Sequence, residues 1–518
     1  MKVERALVSV SDKTGLEAFV RGLHKLGIEI MSTGGTAKAI DSLGVPVTEV
    51  SSYTGFPEML DGRLKTLHPK IHGGILAVRG NKSHMEQVEK AAIMPIDMVV
   101  VNLYPFEDTV SRKGVTLSEA IENIDIGGPA MLRSAAKNYS SVAVVSSCGQ
   151  YEAVLKELEE NGAELSAGTL KKLAVKVFDT TSRYDGSIAR YLSGDADNNG
   201  GTDFPEEMDI RLKKVRALRY GENPHQRAAF YRDSSGAGVA DARQFQGKEL
   251  SYNNIMDLNA ALEIIEDFKE PAVSVIKHNN PCGVATAGTP EKAFVDALDC
   301  DRLSAFGSII GFNRPVDSGM AEIILGEADF VECIIAPGFD EKALGIFSAK
   351  KNLRVLALSS IGASRKESRD IRKVRGGALV QDRDEVAISA EDLKLAAGGG
   401  VDEETMKSLL FGWRVVKHVK SNAIVLSSGT KTVGIGAGQM SRVDSVIIAV
   451  RKAGDRAKGA VLASDAFFPK ADSIEAARMA GIKAIIQPGG SIRDGEVIEA
   501  CNRFGISMFL TGRRHFKH

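Results

Sequence analysis

The chain has 518 residues, 43% hydrophobic and 26% charged, which is the balance of a globular protein too long for one ordinary core. Its 66 basic and 67 acidic side chains leave a formal net charge of −1, so no global field favours nucleic acid or an anionic membrane, and any anion site must be local. Five scattered cysteines (Cys148, Cys282, Cys300, Cys333, Cys501) contain no CxxC pair, which argues against a disulfide framework or a cysteine-rich zinc site and fits a reducing cytoplasm.

The opening MKVERALVSV is a charged strand without the apolar core of a signal peptide, and no apolar run is long enough to span a bilayer. Strand-like runs at 6–10, 27–31, 97–102 and 142–146 alternate with helical patterns at 15–26, 128–138 and 170–192. Such alternation predicts a parallel sheet covered on both faces. The first strand ends in Ser11-Asp12-Lys13 and the second in Ser32-Thr33-Gly34-Gly35-Thr36, each before a helix. Hydroxyls, glycine amides and a helix N-terminus together make a phosphate cradle, although the same residues also serve as ordinary caps. The segment from Gly62 to Gly74 adds the cations Arg63, Lys65 and Lys70. His68 and His72 stand four apart, as a helical metal pair would, but Pro69 and two glycines argue against a helix there. Asn102-Leu103-Tyr104-Pro105-Phe106 follows a strand, and Asp125 precedes a predicted helix that ends at Lys137; if both reach the ligand, Asp125 and Lys137 form an acid/base pair.

Residues 193–203, almost all Gly, Asn and Asp, read as a linker. Beyond them α/β alternation resumes, with strands predicted at 272–276, 308–311, 333–336, 423–426, 460–463 and 484–487, no short tandem repeat, and a division into two sub-lobes near 365–400. The most informative stretch is Lys277-His278-Asn279-Asn280-Pro281-Cys282-Gly283, in which an apolar strand stops at a sharp turn carrying an ammonium beside an imidazole. The neighbouring ammonium favours the neutral, proton-accepting imidazole. A surface lysine and a carbonyl-capping histidine would look the same. Val433-Gly434-Ile435-Gly436-Ala437-Gly438 departs from the G-x-G-x-x-G spacing and keeps a dinucleotide enzyme open only as a weak alternative. A phosphate-sensing first half, or two fused phosphosugar enzymes, also fit these features.

In order along the chain stand Ser-Asp-Lys, STGGT, GRLKTLHPKIHGG, NLYPF, DIGGPAMLRSAAKN, RYGENPHQ, SYNN, KHNNPCG, SAFGSIIGFNR, GAGQMSR and SDAFFP. With these motifs the chain resembles, end to end, the bifunctional purine-biosynthesis family that joins 5-aminoimidazole-4-carboxamide ribonucleotide (AICAR) formyltransferase to inosine monophosphate (IMP) cyclohydrolase. The resemblance implies an α/β protein: a methylglyoxal-synthase-like parallel-sheet domain over 1–192, a linker over 193–205, and cytidine-deaminase-like α/β lobes over 206–518. It implies the last two steps of purine synthesis, formyl transfer from 10-formyltetrahydrofolate as co-substrate followed by dehydrative ring closure, in a cytoplasmic homodimer that binds neither nucleic acid nor membrane.

Carried over by motif, Ser11, Lys13, Ser32, Thr33, Gly34, Gly35, Thr36, Arg63, Lys65 and Thr66 would hold nucleotide and phosphate in the first half. Asn102, Tyr104, Asp125, Ile126, Gly127 and Lys137 would surround the base, with Tyr104, Asp125 and Lys137 catalytic. In the second half Arg219, Tyr220, Asn254, Phe306, Gly307, Asp340, Asn422, Gln439, Arg442, Phe467 and Arg514 would meet the nucleotide, around catalytic Lys277 and His278. Val443, Asp472, Ser491 and Ile492 would lie near the folate. The expected chemistry requires no metal. Zinc deaminases need H-x-E and P-C-x-x-C, whereas Pro281-Cys282 is followed here by Gly283, Val284 and Ala285.

Overall fold

Strand β1 (Arg5–Val10) runs through the middle of a parallel sheet ordered β3-β2-β1-β4-β5, with β2 (Glu29–Ser32), β3 (Thr48–Glu49), β4 (Met98–Asn102) and β5 (Ala143–Val145). Leu7, Val8, Val99, Val100 and Val144 are fully buried because helices cover both faces. Those used below are α1 (Leu16–Lys25), α2 (Gly34–Ser42), α3 (Pro69–Leu76), α4 (Gly127–Lys137) and α5 (Ala167–Leu192). The chain leaves β1 toward β2 on one side and later fills β4 on the other. That reversal opens a crevice at the carboxyl ends of β1 and β4, where ligands bind in such sheets.

The computed structural model describes residues 1–193, 204, 206–233, 236–362 and 369–518. These fall into two compact units, Met1–Met208 and Asp209–His518. Apart from Ser193 and Phe204, the linker expected at 193–205 lies outside the described residues. Among the described residues no helix is long and apolar enough to cross a membrane.

One local expectation is overturned. The segment with Pro69 and two glycines is a helix, α3. Pro69 occupies its first position, where a missing amide costs nothing, and the His68 ring accepts the Lys70 amide at 3.1 Å as the cap. Gly73 and Gly74 are demanded by packing, since a Cβ would lie 2.9 Å from Ile93 and 2.5 Å from the Met94 carbonyl. His72 Nδ1 instead meets Ser134 Oγ at 3.2 Å, so the two rings are committed separately.

The second unit is built on a mixed sheet, twelve-stranded among the described residues, ordered β16-β21-β20-β19-β17-β18-β10-β9-β11-β12-β13-β8. Outside it lie two hairpins, β6 (Lys213–Leu218) with β7 (Ala228–Arg232), and β14 (Arg369–Val374) with β15 (Gly377–Asp382). Within the sheet one half is β8 (Arg243–Gln246), β9 (Ala272–Lys277), β10 (Asn280–Thr286), β11 (Ser308–Phe312), β12 (Val331–Ala336) and β13 (Arg354–Ala357). The other is β16 (Lys394–Ala397), β17 (Ile424–Ser428), β18 (Lys431–Gly436), β19 (Val461–Ser464), β20 (Ala484–Gln487) and β21 (Ser507–Leu510).

The two halves repeat one plan: an edge strand, a helix, a hairpin, a second helix, then three parallel strands of which the last pairs back to the edge strand. The helices are α6 (Tyr252–Ile265) and α7 (Pro290–Leu298) in one half, where α8 (Glu341–Phe347) also connects β12 to β13, and α9 (Glu403–Val416) and α10 (Arg442–Ala453) in the other. β10 and β18 pair antiparallel at the centre, so the repeat exchanges the two ends of the sheet. Equivalent glycines bring each helix against its strand. A Cβ at Gly283 would lie 1.9 Å from the Ala297 carbonyl, and one at Gly434 or Gly436 would lie 2.2 or 2.0 Å from the Ala449 or Ser445 carbonyl. The glycine cluster at 433–438 thus serves close helix packing on an antiparallel strand, which removes the basis for a dinucleotide loop.

Candidate active sites

A cavity of about 690 Å³ opens at the crevice of the first unit. Ser11, Lys13, Thr33, Gly35, Thr36, Arg63, Lys65, Thr66, Asn102, Tyr104, Asp125, Ile126 and Gly127 all line it. Two helix N-termini contribute. On α2 the Thr33 hydroxyl pairs with Ser9 Oγ at 3.0 Å and does not cap the helix, so the first amides are left for a ligand. On α4 Asp125 Oδ1 accepts the Gly128 amide at 2.8 Å. Burial raises the proton affinity of the Asp125 carboxyl, while the Gly128 and Tyr104 amides and Lys65 oppose that rise. Its backbone is held by Tyr184, whose hydroxyl accepts the Asp125 amide at 2.7 Å.

Several predicted residues turn out to shape the cavity from behind. Asn102 Oδ1 accepts the Ser11 and Asp12 amides at 2.6 and 3.0 Å, fixing the cradle loop. Thr36 Oγ1 is tied to the Val10 backbone. Ser32 is fully buried and donates to the Val8 carbonyl at 2.6 Å; neither it nor Gly34 is among the lining residues. Lys137 is not brought to this cavity by its own chain. It is exposed at the last turn of α4, ten residues beyond Gly127 and so about 15 Å down the helix axis. Glu58 and Glu122 also line the cavity and escaped the sequence reading, while Ser9, Gly62, Gly128 and Met131 line it beside the residues singled out from the same motifs. A lone carboxylate in a charged stretch carries no signal that separates it from a solvated one.

In the second unit register brings distant motifs to one end of the sheet. Ile276 pairs with Ile309 and Ile424 with both Gly436 and Ser464, and β20 and β21 run parallel to β19. Lys277, His278, Phe306, Gly307, Asn422, Gln439, Arg442, Val443, Phe467, Asp472, Ser491, Ile492 and Arg514 therefore share that end. Lys277 Nζ donates to the Phe306 carbonyl. The strand stops at a two-residue turn, His278 and Asn279, with φ of 52° and 59°, and returns at once as β10. Asp257, on α6, clamps that turn by accepting the His278 amide at 3.2 Å and the Asn279 amide at 2.7 Å. Cys282, in the same motif, is no nucleophile: burial pushes its thiol up to about 12.

Arg442 is buried. It donates to Ser464 Oγ at 2.8 Å, Asp465 Oδ1 at 2.5 Å and Asn422 Oδ1 at 2.7 Å. Asn422, Arg442, Val443, Phe467 and Asp472 line a pocket of about 350 Å³, and Asn422 and Gln439 one of about 300 Å³. Asn254 accepts the Ser251 amide in the first turn of α6, and Asn253 meets the Glu222 carbonyl at 3.4 Å, which puts the loop carrying Arg219 and Tyr220 beside that turn. Asp340 is a correction. It caps α8, accepting the Ala343 and Ser318 amides, and it follows the carboxyl end of β12, whereas Phe330 beside Gly307 precedes the strand's start. A strand of six residues, about 17 Å, separates it from the lysine–histidine turn.

A further cavity of about 650 Å³ holds paired charges. Lys517 and Arg383 each reach Glu263 at 2.9 Å, and Lys417 reaches Asp267 at 2.7 Å beside His418 at 2.6 Å. Burial alone would raise both carboxyls, but these neighbours overcome it and hold each at about 2. Between that value and the ordinary 4.5 and 3.8 the unfolded chain binds more protons than the native one, so stability present above pH 4.5 is lost as pH falls toward 2. The urea midpoint of this unit should drop steadily over that window, and Glu263→Gln should flatten the slope.

A protein-family model described as the AICARFT/IMPCHase bienzyme matches residues 135–452, and one for the MGS-like domain matches residues 15–130. Among curated relatives, the bifunctional purine biosynthesis protein PurH of Magnetococcus marinus is 53% identical across the whole of both chains. Those of Acetivibrio thermocellus and Bacillus subtilis are 52% and 50% identical, again across the whole of both chains.

Proposed function

The chain belongs to the AICARFT/IMPCHase bienzyme family, and from that premise we propose which residues do each half of its work. It is a bifunctional enzyme of purine biosynthesis, with folate-dependent AICAR formyl transfer and IMP cyclohydrolase activity. The cyclohydrolase site is assigned to the 690 Å³ cavity of the first unit, and the transferase site to the end of the second unit's sheet that carries Lys277 and His278. The donor is 10-formyltetrahydrofolate, and the setting is cytoplasmic.

The exocyclic amine of AICAR is a weak nucleophile because its lone pair is delocalised into the ring and carboxamide. His278 takes the amine's proton as nitrogen attacks the formyl carbon. Lys277 offsets the tetrahedral oxyanion and protonates the departing folate nitrogen. In ring closure the carboxamide nitrogen adds to the new formyl carbon and water leaves. Asp125 takes one carboxamide proton as the nitrogen adds, and Lys137 of a second copy protonates the developing oxyanion; Asp125 then returns its proton to that hydroxyl, which leaves as water while the formamide N–H proton passes back to Lys137, and Tyr104 orients the amide. The reacting groups sit in one molecule, so holding the reactive conformer supplies much of the acceleration. Neither scheme calls for a metal.

The chain acts as a homodimer in which Lys137 of a second copy reaches the cavity. Its own Lys137 stands too far down α4, and Ile126, which lines the cavity, is left 61% exposed for a partner to cover. The observation that carries the whole reading is the convergence of motifs from across the second unit on one sheet end. Ultraviolet absorbance of AICAR with 10-formyltetrahydrofolate tests it: the chain should produce IMP, residues 1–200 alone should close preformed formyl-AICAR, and no turnover by that fragment would overturn the assignment.

A further inference from the structure

The cyclohydrolase cavity already contains an anion of its own. Segment 58–65 is a tight turn in which Met59 and Leu64 exchange backbone hydrogen bonds at 3.0 and 3.2 Å. This sets Glu58 opposite Lys65, and the two pair at 3.8 Å. The Glu58 carboxylate extends beyond its partner. One oxygen would touch a Cβ on Gly34 at 3.8 Å, which puts it over the first residue of α2. The other packs so closely on Gly62, where φ is +92°, that a Cβ there would lie 2.8 Å away. Gly62 is required for its backbone conformation, and its lack of a Cβ leaves the acid this seat.

The helix end and Lys65 are the groups that a phosphate ester would use. We propose that Glu58 is a resident counter-anion of this cavity, seated where phosphoryl oxygens bind and displaced when nucleotide enters, so that it sets the site's affinity for phosphate esters. Two like charges cannot share one lysine and one helix end without mutual repulsion. Binding therefore exchanges a carboxylate for a phosphate, and the net gain is the difference between them. The empty site keeps its cation neutralised and its turn in place, and product leaves more readily because an internal anion is waiting to replace it. Glu122 does the same for Arg63 at the opposite wall, through an ion pair with its guanidinium. Glu58 differs in that it stands on the cradle itself.

The inference rests on the assignment of ring closure to this cavity, and the experiment separates the two. In the full chain, inhibition of ring closure by IMP and by inorganic phosphate is measured for wild type and for Glu58→Gln. Removing one charge at such a distance should lower both inhibition constants about tenfold, with the KM of formyl-AICAR falling in parallel. Glu58→Asp, which keeps the charge on a shorter arm, should fall between. Unchanged or weakened inhibition in Glu58→Gln overturns the proposal, provided that Lys65→Ala raises both constants. If Lys65→Ala and Lys13→Ala leave them unchanged, the assignment of the cavity itself fails. Should Glu58→Gln not fold, the Glu58→Asp constants decide, since values equal to wild type would contradict an anion held at contact with the cradle.

Discussion

His278→Ala should lower formyl-transfer turnover by at least about a hundredfold while ring closure of preformed formyl-AICAR proceeds at the wild-type rate. The size of the effect follows from the substrate. An amine conjugated into a carboxamide-bearing imidazole must lose its proton as it attacks, and water in a closed site is a poor substitute base. The selectivity follows from the fold, because His278 lies in the second unit and the cavity proposed for ring closure in the first. The turn itself should survive the substitution, since the Asp257 carboxylate grips the backbone amides of residues 278 and 279 rather than the imidazole. Stopped assays with each nucleotide separately, together with a thermal melt, check all three statements; normal transferase turnover would remove His278 from the mechanism.

Asp125→Ala should abolish ring closure to a similar extent and leave formyl transfer intact. The carboxylate sits at the α4 N-terminus, receives the Gly128 amide, and is partly withdrawn from water, so that burial lifts its proton affinity toward the range useful for exchanging protons with a carboxamide and a hydroxyl. Lys137→Ala should produce the same loss for a different reason, as a group proposed to be supplied by a second copy. The two arrangements are separable. When Asp125→Ala and Lys137→Ala subunits are mixed and allowed to exchange, half the dimers are mixed, and each mixed dimer regains one complete site, so about a quarter of wild-type activity should return. No recovery would mean that Lys137 acts within its own chain or not at all.

The parallel sheet of the first unit was legible because Val, Ile and Leu runs alternated with amphipathic stretches, and β1, β2, β4 and β5 fall within a few residues of the predicted runs. The cradle was legible for the same reason, as hydroxyls and glycines at strand ends announce themselves. What failed was whatever depends on a neighbour. In sequence Pro69 reads as a breaker of α3, whereas at the first helical position it is favoured. Asp340 was assigned to the wrong end of the sheet because sequence does not say which end of β12 faces the ligand. Strand β10 was missed because Asn, Pro and Gly at 280, 281 and 283 signal a turn, yet the turn is only two residues long and Gly283 is there for a helix to lean on. Asp257 was missed because its value lies in two backbone amides twenty residues away.

The two halves of the repeat differ in the residue that follows the first parallel strand of each. After β19 comes Asp465, whose amide donates to the Ala423 carbonyl; after β11 comes Asn313, whose amide donates to the Ala272 carbonyl in the same way. Asp465 is an acceptor and gathers the buried Arg442 together with Ser421. Asn313 can donate as well, and its amide closes onto the carbonyls of Phe268 and Glu270 at 2.9 and 2.8 Å. The same step after the first parallel strand thus anchors a buried guanidinium at one end of the sheet and ties down loop carbonyls at the other, so only the first end offers a cation to an anionic ligand.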